Sequence, residues 1–105
     1  MKMDKMLKQV QKMQAQMSLV QESLADEIVE GASGGGMVVA KANGHGDIVS
    51  ITISKEVVDP EDIEMLEDLV LSAVRESIRL SRELAEKRMG NLTGGFNIPG
   101  MPGLF

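Results

Sequence analysis

Residues 27–54 read EIVEGASGGGMVVAKANGHGDIVSITIS, and this stretch decides the fold. Its period is two. Val49, Ile51 and Ile53 alternate with Ser50, Thr52 and Ser54, so this segment predicts a strand with one buried and one wet face. Two glycine-bearing clusters, Gly34-Gly35-Gly36 and Asn43-Gly44-His45-Gly46, divide the stretch into segments around Glu27 to Ser33, Met37 to Ala42 and Ile48 to Ser54. Both clusters supply the positive-φ residues that tight hairpin connections require. The reading is a three-stranded antiparallel meander.

On either side the period changes to that of a helix. Upstream, apolar residues fall at Met3, Met6, Val10, Met13, Met17, Val20 and Leu24, alternating steps of three and four. That is a heptad seam on one long helix free of Gly and Pro, and Met6, Val10, Met13, Met17 and Val20 are expected to pack against the second helix or a twin subunit. Downstream, Asp59-Pro60-Glu61-Asp62 opens a second long helix, with Asp59 expected as N-cap and Pro60 at the first helical position. Its apolar positions run from Ile63 through Leu66, Leu69, Val70, Ala73, Val74, Leu80 and Leu84 to Met89, and Lys87, Arg88 and Gly90 are expected to end it. The chain therefore reads as α+β with the order α-β-β-β-α. Residues 1–90 form a single domain, and residues 91–105 a mobile Gly/Pro-rich apolar tail.

Composition sets further bounds. With 105 residues the chain has room for one core, and its only aromatics, Phe96 and Phe105, lie in the tail. Aliphatic residues and methionine are left to fill that core, which favours an obligate oligomer. There is no cysteine, hence no disulfide, and no apolar run approaches the roughly 20 residues that span a bilayer. No secretory signal is visible, and the expectation is a cytoplasmic protein.

The net charge of −5 hides an uneven distribution. Residues 1–20 carry Lys2, Lys5, Lys8 and Lys12 against Asp4, and residues 75–105 carry Arg75, Arg79, Arg82, Lys87 and Arg88 against Glu76, Glu83 and Glu86. Nearly all other acid lies between these ends. The lysine spacing draws a cationic stripe about 15 Å long on the first helix, suited to neutralising phosphates along a duplex. A solvated helix face explains the same spacing. Arg75, Arg79 and Arg82 form a second stripe, in which Arg79 can pair with Glu83 and Arg82 with Glu86. If the two helices pack antiparallel, the two stripes would share one end of the molecule.

Other chemistry is disfavoured. The triple glycine lacks the Lys-Ser/Thr of a phosphate-binding loop, and His45 has no second histidine or cysteine as co-ligand. Asp59, Glu61, Asp62 and Glu64 are explained by helix capping, so no metal site is read there. With no nucleophile, base and acid set, the sequence points away from an enzyme, a cofactor and a small-molecule substrate.

Several segments together resemble the YbaB/EbfC family. They are Met6-Leu7-Lys8-Gln9-Val10-Gln11-Lys12-Met13-Gln14, then Glu30 to Val38 through the triple glycine, then Glu64-Met65-Leu66-Glu67-Asp68-Leu69-Val70. Asn91-Leu92-Thr93-Gly94-Gly95 with Ile98-Pro99-Gly100 completes the series. The resemblance covers essentially the whole chain and implies a homodimer whose joined sheets form the body and whose long helices project like tweezer arms. It also implies binding to duplex DNA, altered DNA conformation and association with the bacterial nucleoid. On this chain the arm cations would be Lys5, Lys8, Lys12, Arg75, Arg79, Arg82, Lys87 and Arg88, an assignment made from position and charge. Family members are often encoded beside replication and recombination genes, so a protein-interaction adaptor for such factors is the alternative. In that case the methionine seam, or the tail around Phe96, Ile98, Leu104 and Phe105, would dock the partner.

Overall fold

The computed structural model describes residues 2–94, and the apolar segment 95–105 lies outside the described residues. The elements follow the expected order: α1 (Lys2–Asp26), β1 (Ile28–Ser33), β2 (Val38–Asn43), β3 (Ile48–Ile53) and α2 (Ile63–Gly94). The strands form one antiparallel sheet in the order β1-β2-β3. Gly34, Gly35 and Gly36, all at positive φ, make a short 3-10 turn between β1 and β2, and Gly46 at φ 82° closes the turn between β2 and β3.

That second turn is built around Asn43. Its side-chain oxygen accepts from the amides of His45 and Asp47, while its amide group donates to the Asp47 carboxylate.

The core is thinner than the sequence suggests. Among the described residues the fully buried apolar ones are Leu24, Val38, Ala40, Ala42 and Ala73, joined by Ser77 and Ser81. Methionine is absent from that buried set, contrary to the expectation that it would help fill the centre. Small side chains let α2 press against the sheet instead. A Cβ placed on Gly31 in β1 would come within 2.2 Å of the Ser77 amide nitrogen and 2.5 Å of the Ala73 carbonyl oxygen. Both buried hydroxyls are satisfied: Ser81 donates across this contact to the Asn43 carbonyl at 2.8 Å, and Ser77 donates to the Val74 carbonyl of its own helix at 2.8 Å. Ser33 likewise donates to the Leu69 carbonyl at 2.5 Å.

Three further sequence expectations need correction. Helix α2 begins at Ile63, with Asp62 rather than Asp59 as its cap: the Asp62 carboxylate accepts from the Met65 amide at 3.2 Å. Asp59 organises the preceding turn, accepting from the Glu61 amide through its side chain and from the Asp62 amide through its carbonyl. Proline tolerates that turn as readily as a first helical position, which is why the sequence could not separate the two. At the other end α2 does not stop at Gly90 but runs to Gly94. One glycine costs a helix only about 1 kcal/mol, less than a continuing helix can recover.

The third correction concerns β3. Every residue of it is exposed, including Ile51 and Ile53 on the expected buried face. The alternation itself is right, because Ile51 and Ile53 pair with the buried Ala40 and Val38 and share their face. Helix α2 covers β1 and β2 and leaves that face of β3 bare. A bulge between Lys41 and Ala42, where the partner register skips Val49, ends the regular pairing.

Candidate nucleic-acid interface

The candidate interface is built on α1, which is joined to the body by its C-terminal end. Leu24 is 1% exposed, and its carbonyl accepts from the Gly44 amide at 2.7 Å. Gly44 has to be glycine, since a Cβ there would lie 2.7 Å from that same carbonyl. One turn earlier, the Gln21 carbonyl meets His45 Nε2 at 2.7 Å. Arg88 of α2 completes the junction with a two-pronged ion pair to Glu27, its Nε lying 3.1 Å from Oε2. Arg88 donates hydrogen bonds that hold the Glu27 carboxyl below the usual carboxylate range, and the arginine is correspondingly raised.

Beyond this junction α1 leaves the sheet behind. Met3, Met6, Val10 and Met17 are 74%, 64%, 52% and 39% exposed, a gradient that falls toward the junction. Leu84, Ala85 and Met89 of α2 are half-buried although they lie past the end of the sheet, and Met89 shares a cleft with Gln21 and Leu24. The two helices thus form an antiparallel arm in which α1 outruns α2. The long axis of the molecule, 73 Å, agrees, because α2 alone spans only about 48 Å. Of the expected packing residues, Met13 and Val20 are half-buried, whereas Met6, Val10 and Met17 are exposed within one chain.

The cations divide accordingly. Lys5, Lys8 and Lys12 are exposed on the outrunning part of α1 and make no ion pair within 4.0 Å among the described residues. Arg79 is held between Glu76 and Glu83, at 2.6 Å from each. The hydrogen bond from Arg79 keeps Glu76 below the usual carboxylate range. The expected pair between Arg82 and Glu86 is not formed; Arg82 lines the cleft with His45 and Gln21. Arg75, Arg82 and Lys87 remain exposed without an ion pair among the described residues. Lys12 stands nine residues before Gln21, about 14 Å of helix beyond the cleft that Arg82 lines. Arg75 and Arg79 lie on the part of α2 that covers the sheet, and only Arg82, Lys87 and Arg88 reach the base of the arm, so the lysine and arginine stripes do not fuse into one patch.

The acidic end faces away. Asp59, Glu61, Asp62 and Glu64 gather around the start of α2, about 40 Å of helix from Arg88. Among the described residues no group of three His, Cys, Asp or Glu side chains could hold a metal ion, and no helix is long and apolar enough to cross a membrane.

What the sequence missed is the junction. Glu27 and Arg88 are separated by 61 positions, and His45 bonds a carbonyl 24 positions away. No local pattern marks either contact.

Comparisons with known proteins agree with this architecture. A solved structure of an uncharacterized protein from Helicobacter pylori matches with a TM-score of 0.77 at 26% identity, over 90% of this chain and 99% of that one. A nucleoid-associated protein of Alkaliphilus metalliredigens is 50% identical over 99 residues, covering 94% of this chain and 87% of its own length. One from Desulforamulus reducens is 54% identical over 99 residues, 94% of each. The family model of the YbaB/EbfC DNA-binding family matches residues 1–96. With this match and an α-β-β-β-α fold in which a basic helix outruns its partner, the chain belongs to the YbaB/EbfC family of nucleoid-associated, DNA-binding proteins.

Proposed function

We propose that this protein binds duplex DNA as a homodimer, mainly through phosphates and with weak sequence preference, and alters the conformation of the DNA it holds. The observation that carries the reading is that Lys5, Lys8 and Lys12 have no ion-pair partner among the described residues, on a helix that stands clear of the body. Cations without local carboxylate partners have no ion pair to break when they meet phosphates and release the counterions of the DNA. Arg75, Arg82 and Lys87 are further candidates, whereas Arg79 and Arg88 would have to give up existing ion pairs first. No aromatic side chain lies among residues 2–94 to stack on bases or wedge between steps, which favours backbone contacts over base readout.

The homodimer is supported by β3, an edge strand with free backbone groups and the exposed side chains Ile48, Val49, Ile51 and Ile53. Such an edge invites pairing, and a second copy would cover both it and the bare apolar face. Two arms on one body could then straddle a duplex, with the acidic ends of α2 kept from the phosphates. The cytoplasm and its nucleoid are the matching location.

The test is binding to duplexes of unrelated sequence between about 50 and 200 mM salt, beside a Lys5/Lys8/Lys12→Gln variant. The expected result is similar affinity for all sequences and a steep loss with salt. In the variant the log–log slope should be shallower by about 0.9 for each phosphate contact removed. Absence of binding at low salt would refute direct DNA binding and favour the adaptor for replication or recombination factors.

A further inference from the structure

We infer that the apolar face of α1 beyond the end of α2 is the docking site of the protein's own C-terminal segment, residues 95–105. The surface is defined by Met3, Met6, Leu7 and Val10, which are 74%, 64%, 58% and 52% exposed. Met6, Gln9, Val10 and Met13 line a shallow groove there, which among the described residues includes none from any other element. An uncovered run of this kind on a heptad seam is half of a helix contact whose other half is missing.

The position and length of the remaining chain identify the occupant. Helix α2 is described as far as Gly94, five residues or about 8 Å past Met89, which lines the same cleft as Gln21. Val10 lies about 17 Å from Gln21 along α1, so the uncovered seam starts about 9 Å beyond the level of Gly94. Eleven residues follow Gly94, GFNIPGMPGLF, with a reach of up to about 35 Å when extended. The exposed seam from Val10 to Met3 needs only about 11 Å.

The chemistry also matches. The segment has no charged residue and brings Phe96, Ile98, Met101, Leu104 and Phe105, including both aromatic side chains of the protein. Methionines adapt to aromatic partners through soft sulfur–ring contacts, and the prolines reduce the chain entropy lost on docking. Docked there, the segment lies beside Lys5, Lys8 and Lys12 without opposing them electrostatically. This inference concerns the chain alone and does not depend on the DNA reading.

The test uses the full chain, whose lack of cysteine makes introduced thiols unambiguous. Met6→Cys would be combined in turn with Phe96→Cys, Ile98→Cys and Met101→Cys, with Lys8→Cys replacing Met6→Cys as the control on the polar face. Mild oxidation should give an intramolecular disulfide in at least one Met6 pair, seen as a faster monomer band on a non-reducing gel, and none in the Lys8 pairs. Independently, peroxide oxidation followed by peptide mass spectrometry should show Met3 and Met6 reacting several-fold faster in a chain ending at Gly94. Met65, on the distant first half of α2, should keep its rate and so report that the shortened chain is folded. Unchanged Met3 and Met6 rates together with no intramolecular disulfide would overturn the inference. Disulfides formed only between differently tagged chains would overturn it as well, by making a second copy the occupant.

Discussion

Gly31→Ala is the most stringent test of how the sheet and α2 fit together. The added methyl carbon would lie 2.2 Å from the Ser77 nitrogen, 2.5 Å from the Ala73 oxygen and 2.8 Å from the Glu76 carbonyl carbon, all of them backbone atoms. Ordinary contact begins near 3.4 Å, so α2 must retreat by about 1 Å. A gap of that size forfeits about a quarter to a half of the dispersion energy of each contact it opens. The contacts at risk are those of Ala73, Val38 and Ala40, the centre of the core, and of the half-buried Val57, Leu69, Val70 and Val74 packed against it. Overpacking of this kind costs about 1–3 kcal/mol, and because no flexible side chain can yield here the upper end applies. That is a large share of the roughly 5–15 kcal/mol by which a domain is stable. The assay is urea unfolding followed by far-UV circular dichroism, since the chain has no Trp or Tyr, at one fixed protein concentration. Gly35→Ala is the comparison: its site is open, and at φ 66° it incurs only the left-handed penalty of about 1–2 kcal/mol. A Gly31→Ala protein that unfolds no earlier than Gly35→Ala would refute the close-approach argument.

Gly44→Ala should act on the arm more than on the body, because its methyl meets the Leu24 carbonyl and side chain at 2.7 Å. Amide exchange in residues 13–26 should speed up by about tenfold or more, corresponding to about 1.4 kcal/mol, with β1 and β2 little changed. The Glu27–Arg88 pair should make the arm acid-sensitive. The folded pKa of Glu27 lies below its unfolded value, so its contribution is complete above the ordinary carboxylate range and is lost as pH falls through the folded pKa. Protection factors in α1, which remove the intrinsic slowing of exchange at lower pH, should therefore fall on acidification, and a Glu27→Gln protein should show a weaker pH response and lower α1 protection already at neutral pH. Asp62→Ala should destabilise the protein by about 1 kcal/mol through loss of the N-cap, measured by the same urea titration, with Asp59→Ala costing less.

By itself the sequence determined the element order, the two glycine turns and the distribution of charge. These are properties of neighbouring residues: a period of three and four or of two, a positive φ that only glycine takes easily, a lysine every third or fourth position. It also placed Lys5, Lys8 and Lys12 on an outward helix face, because helical spacing fixes the face once the seam is known. Tertiary structure decided what each face meets. The alternation in β3 and the seam in α1 look the same whether a partner covers them or not, and only the path of α2 leaves Ile51, Ile53, Met6 and Val10 bare. The same holds for the cations: Arg88 and Lys8 are equivalent as sequence, but the fold carries Arg88 to Glu27 and carries Lys8 away from every carboxylate partner among the described residues. Local spacing sets direction along and around one element, whereas pairing depends on contacts between positions far apart in the chain, which only the packed structure brings together.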